Sequence, residues 1–63
     1  MKKKLVVEFL NGETSNLKLR FPLVESNKGT LVFSMESNDS LDLNDMNAIF
    51  SNPQVRGFEI VED

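Results

Sequence analysis

Along this chain, hydrophobic residues alternate with polar ones over three stretches and then recur at helical spacing over a fourth. Residues 4–10 place Leu5, Val7 and Phe9 on one face of a predicted strand. Residues 16–24 alternate more regularly, with Leu17, Leu19, Phe21 and Leu23 inward and Asn16, Lys18, Arg20 and Pro22 outward. Residues 30–36 repeat the pattern through Leu31, Phe33 and Met35. Residues 57–61 make a short fourth strand with Phe58 and Ile60 inward. Pro22 has no N–H for a ladder, so it belongs at a strand end or on an edge.

The turns restrict how these strands connect. Asn11-Gly12 invites a two-residue hairpin, but that register sets the apolar faces of the first two strands on opposite sides of the sheet. A one-residue slip reverses every side chain. A loop of odd length is therefore expected, either three residues with Gly12 left-handed or five residues across Asn11–Ser15. A three-residue loop Asn27-Lys28-Gly29 suits the second turn, pairing Leu23 with Phe33 and Phe21 with Met35.

The helix, expected over about residues 43–51, has the clearest local signature. Asp42 as N-cap and Asp45 three residues later form an aspartate version of the capping box, and Leu41 can staple to Met46. Leu43, Met46, Ile49 and Phe50 form one apolar stripe, and Asn52-Pro53 ends the helix. About two turns of helix do not persist alone in water, so the stripe must pack on the sheet. The predicted fold is α+β, one domain over residues 1–63 in the order βββαβ. It is a four-stranded mixed sheet with one short helix on one face, the first three strands forming a meander. The last strand is expected parallel to the first or third, beside the first by preference.

Composition narrows the chemistry. The 63 residues contain no His, Cys, Trp or Tyr. Absent are the side chain that titrates near neutral pH, the strongest side-chain nucleophile and the soft ligands for zinc or iron–sulfur. A domain this small buries only about 60% of its unfolded surface. With no disulfide or thiolate site available, it needs a well-packed core or self-association. Met1-Lys2-Lys3-Lys4 followed by Leu5-Val6-Val7 resembles the start of a secretory leader, but Glu8 interrupts the apolar run. No stretch reaches the length of a membrane span. A cytoplasmic protein without membrane contact is expected, and its Asn, Ser and Lys content suggests a bacterial or phage-like chain. The net charge of −3 divides into +3 over residues 1–30 and −6 over residues 31–63.

Candidate sites follow from these patterns. The oxygen-rich segment Ser37–Asp45 departs from the calcium-loop spacing and reads as a loop and helix cap, so no metal, cofactor or catalytic site is assigned. A non-enzymatic protein is expected. Lys2, Lys3 and Lys4 are the nucleic-acid candidates, with Lys18 and Arg20 in support. The acidic balance and the absence of an outward aromatic for base stacking oppose that use. Val6, Leu10, Val32 and Val61 point away from the helix among charged neighbours, an apolar content that marks a docking face. With Lys18 and Arg20 they form the candidate partner-binding set. The expected function is a small interaction or regulatory module that docks a protein partner, or a second copy of itself, through the outer sheet face or a strand edge. The alternatives are a nucleic-acid accessory protein and an acidic inhibitor of a basic partner.

Overall fold

The computed structural model describes residues 2–62. Strand β1 (Lys2–Phe9) leads through a single 3-10 turn at Leu10–Gly12 into an extended arm, residues 13–22. There follow β2 (Leu23–Asn27), β3 (Thr30–Glu36), helix α1 (Leu43–Phe50) and β4 (Val55–Glu62). The strands form one four-stranded sheet in the order β2-β3-β1-β4. The α+β class and the βββαβ order are as the hydrophobic pattern predicts.

The connections differ from that prediction. Strand β1 pairs with β3, from Lys2 opposite Glu36 to Glu8 opposite Thr30, and not with β2. The first three strands are therefore no meander. Strands β1 and β3 carry the densest apolar runs and take the two central places, where both of their edges are paired. Strand β4 lies beside β1, as preferred, but runs antiparallel to it, with Leu5 opposite Ile60 and Val7 opposite Phe58. Every adjacent pair is antiparallel, which corrects the expectation of a mixed sheet. Strand β4 does run in the direction of β3, with β1 between them.

This order requires two crossings of one face. Strands β1 and β2 run in the same direction on either side of β3, so the chain must return between them. The arm makes that return in extended form, and α1 makes the equivalent return from β3 to β4. The predicted strand 16–24 is mostly this arm. Its alternation is real, since Leu17 and Leu19 are half-buried against the core and Phe21 is buried, but only Leu23 onward joins the ladder. Period-two burial requires an extended chain on an apolar surface; it does not require a paired one.

The core lies between the sheet and this layer. Leu5, Val7, Phe9, Phe21, Leu31, Phe33, Met35 and Ile49 are buried together, with Leu17, Leu19, Leu41, Val55 and Phe58 packed around them. The Leu23–Phe33 pair forms as expected, but Leu23, at the edge and beside a bulge, stays 51% exposed instead of facing the core. The pair forms across a tight Lys28-Gly29 turn, with a bulge at Val24 absorbing the odd residue, whereas Phe21 and Met35 are not ladder partners. Left-handed backbone at Asn11 and Gly12 sends the chain off the sheet instead of into a hairpin.

Gly29 ties the β2–β3 turn to the end of β1 and the start of the arm. Its carbonyl accepts from Phe9 N–H and its N–H donates to Thr14 Oγ1, which in turn donates to Asn27 O. A Cβ on Gly29 would stand 3.0 Å from Gly12 Cα, and φ is +84°. Gly29→Ala therefore combines left-handed strain with a backbone clash. It should cost about 1–3 kcal/mol in urea unfolding, and more than Gly12→Ala, whose added Cβ meets nothing within 4 Å. Phe33→Ala, at the centre of the core, should cost about 3–5 kcal/mol in the same measurement.

Candidate protein-interaction surface

Helix α1 takes its orientation from one carboxylate. Asp42 Oδ1 accepts from the Asp45 N–H at 2.9 Å and Asp45 Oδ2 accepts from the Asp42 N–H at 3.0 Å, so the expected capping box is present. Asp45 is nevertheless only 4% exposed. Arg20 reaches it from the arm: Nε donates to both carboxylate oxygens at 3.2 Å, and Nη2 donates to Oδ2 at 3.1 Å and to Ser40 O at 2.8 Å. A buried carboxylate without such partners is costly. The Asp42 N–H is the main cause holding the Asp45 carboxyl below its ordinary value of 3.8. Arg20 adds to it, and together they outweigh the opposing effect of burial.

Burying Asp45 rotates the helix about its axis. Asp45 and Ile49, one turn apart, face the core. Leu43 and Phe50 lie seven residues apart on a common flank and stay exposed, Leu43 at 79% and Phe50 at 58%. The expected stripe of Leu43, Met46, Ile49 and Phe50 is thus split between core and surface. Phe50 meets Phe58 of β4, with ring centroids 5.7 Å apart, and Ile60 continues the apolar line along the same strand. Phe50, Phe58 and Ile60 form an apolar strip beside the outer edge of β4.

That edge is open. Phe9 donates its N–H toward β3, to Gly29 O, and Leu10 donates toward β4, to Gln54 O. Alternation along β1 then turns the Lys4, Val6 and Glu8 backbone groups toward their β4 partners Val61, Glu59 and Gly57. The N–H and C=O groups of Phe58, Ile60 and Glu62 consequently point away from the sheet. The opposite edge, β2, is short and bulged, and Thr14 bonds its last residue. Those are the usual guards of an edge strand. From Gly57 to Glu62, β4 has no bulge and no proline.

The sequence candidates are dispersed. Val6 and Val32 are cross-strand neighbours on the outer face, and Val61 lies opposite Lys4 there. Val32, however, is only 8% exposed. It lines an open depression of about 260 Å³ with Lys2, Lys3, Lys4, Val24, Glu25 and Ser34. Leu10 lies in the 3-10 turn and Lys18 is exposed on the arm across the other face, so neither joins that surface. The reading of Lys18 and Arg20 as neighbours on the outer face of a strand is corrected: the arm is unpaired, and Arg20 is engaged with Asp45. Lys2, Lys3 and Lys4 all border that depression, but two of them have partners within the fold. Lys2 Nζ is 3.9 Å from Glu36, Lys3 Nζ donates to Asp39 O at 2.8 Å, and Lys4 alternates with Lys3 onto the opposite face.

The acidic segment resolves into local caps, with Asp39 Oδ2 accepting from Glu36 N–H beside the Asp42–Asp45 box. Among the described residues no group of three or more acidic side chains is gathered as for a metal ion, and no helix is long and apolar enough to cross a membrane. No protein-family model, no curated protein and no solved structure matches the chain.

The strip was hidden in the sequence because each of its members belongs to a predicted inward set. The available signal was Asp45, whose place one turn before Ile49 competes with Leu43 and Phe50 for the buried face.

A depressed carboxylate pKa contributes stability that is present above the unfolded value and lost as pH falls through the folded one. Wild-type stability should therefore hold above about pH 4 and decline below it, in part through Asp45. Asp45→Asn should cost about 1–3 kcal/mol at pH 7. The difference between the two proteins, measured by urea unfolding from neutral pH down through the acid range, should shrink as the wild-type carboxyl takes up its proton.

Proposed function

We propose that this chain is a small, non-enzymatic protein-interaction module, acting in the cytoplasm, that docks partners along the open edge of β4 and the apolar strip beside it. The observation that carries the reading is the coincidence of the two. An unbroken strand edge offers backbone donors and acceptors, and Phe50 and Ile60 lie exposed next to it at 58% and 42%. Strand addition uses these components, main-chain hydrogen bonds for affinity and alternate side chains for selectivity. Elsewhere a long, uncovered edge with apolar neighbours is a liability that proteins suppress.

Of the two expected docking surfaces, the outer sheet face and a strand edge, the edge is the better supported. Val32 is largely covered by its neighbours, which leaves Val6, Val24 and Val61 as a scattered apolar content around Lys2, Lys4 and Glu25. The engagement of Lys3 and Arg20 within the fold gives the nucleic-acid alternative little basis, and the capping roles of Asp42 and Asp45 do the same for the acidic-inhibitor alternative.

Capture from an extract of the cells that make the protein tests the proposal. The wild-type chain, immobilised, should retain protein that a Phe50→Glu/Ile60→Glu variant does not. Val24→Glu, exposed on the other edge strand, should retain it as wild type does. Circular dichroism melting should show all three folded, since each altered side chain lies outside the buried core. Equal retention by all three, or none above background together with a monomeric mass, overturns the reading.

A further inference from the structure

We propose that the occupant of the β4 edge is β4 of a second copy, paired antiparallel about a two-fold axis centred on Glu59, so that two four-stranded sheets join into one. The proposal rests on the edge being a docking surface and adds the partner and its register. A two-fold contact requires a self-complementary surface, and the sequence of β4 meets that requirement in one register better than in its neighbours.

The backbone limits the choices. Phe58, Ile60 and Glu62 turn their N–H and C=O groups to the open side, so these residues must face one another across the axis. Centring the pair on Phe58 sets Arg56 opposite Ile60 of the other copy. Centring it on Ile60 sets Phe58 opposite Glu62. Centring it on Glu59 sets Phe58 opposite Ile60 twice and brings Arg56, at the bulge beyond the regular stretch, beside Glu62 twice. Cross-strand aromatic–aliphatic and opposite-charge pairs both stabilise a sheet. The cost is a single Glu59–Glu59 pair on the solvated outer face.

The rest of the molecule fits this partner. Phe58 and Ile60 point to the same face as the core, so the strip with Phe50 continues across the axis from one copy to the other. Arg56 is the sole basic residue after residue 30, and it stands on the one strand where a copy of itself supplies an acidic neighbour. Burial across the axis also supplies apolar area that a 63-residue chain is short of.

Sedimentation equilibrium of the whole chain from about 1 μM to about 1 mM tests the inference. Wild type should pass from monomer to dimer within that range. Arg56→Glu and Glu62→Arg should each weaken association by about tenfold, because each reversal places like charges at two symmetric sites. The double reversal should return the dissociation constant to within about threefold of wild type. Glu59→Gln should tighten the dimer. Circular dichroism keeps any unfolded variant from being counted. A wild-type monomer throughout the range overturns the inference. So does a dimer indifferent to the single reversals, or one that the double reversal does not rescue. If the chain is monomeric yet retains another protein through Phe50 and Ile60, self-pairing fails while the edge stands as a docking surface. If it is monomeric and retains nothing, both fail.

Discussion

The Asp45 carboxylate, buried between the arm and the start of α1, is the constraint on which this fold turns. It closes the capping box with Asp42 and receives Arg20 through both of its oxygens. The guanidinium spans two elements that share no backbone ladder. It bonds the helix through Asp45 and the preceding loop through Ser40 O, while its Cζ lies over the Phe21 ring, 4.4 Å from the centroid. At the other end of the same layer, Asn52 Nδ2 donates to Ser15 Oγ and Asn16 O. Arm and helix therefore run antiparallel, fastened at both ends, and cover the inner face together. Neither covers it alone: a two-turn helix is too short, and an unpaired arm has no ladder to hold it.

The same constraint shapes the surface. Once Asp45 takes a buried position, the helix cannot also bury Leu43 and Phe50, and Phe50 is left beside β4. The sheet order completes the arrangement. Placing β3 between β2 and β1 leaves β2 and β4 as the edges, and the two are unequal. The β2 edge is short, bulged and bonded by Thr14; the β4 edge runs regularly from Gly57 to Glu62. An exposed helix flank and an unguarded strand meet on one side of the molecule, and the proposed docking surface follows from that meeting.

Much of the interior was legible before any coordinates. Leu5, Val7, Phe9, Phe21, Leu31, Phe33 and Met35 all lie in the core as their alternation indicates, and the capping box and the Leu23–Phe33 pair are present as read. What alternation does not encode is whether an extended segment has a neighbour on its edge. Residues 16–22 alternate as a strand does because they lie extended on an apolar surface, and only long-range pairing tells an arm from a strand. The site was less legible still. Val6, Val32 and Val61 do occupy the outer face, but how far Lys4, Glu25 and Ser34 cover Val32 depends on which strands are adjacent. Arg20 reads as a surface charge until the arm brings it to Asp45.

The sequence by itself determined the local and periodic features: the inward faces of β1 and β3, the helix start at Asp42, the left-handed turn at Gly29, and a chemistry without imidazole or thiol. Each depends on residues close along the chain, where propensity, capping and alternation act directly. Only the tertiary structure decided the strand order, the antiparallel pairing of β4 with β1, the rotation of the helix and the open edge. These depend on contacts between distant segments, where burying one carboxylate under one guanidinium settles which of several apolar faces is covered and which is left to meet a partner.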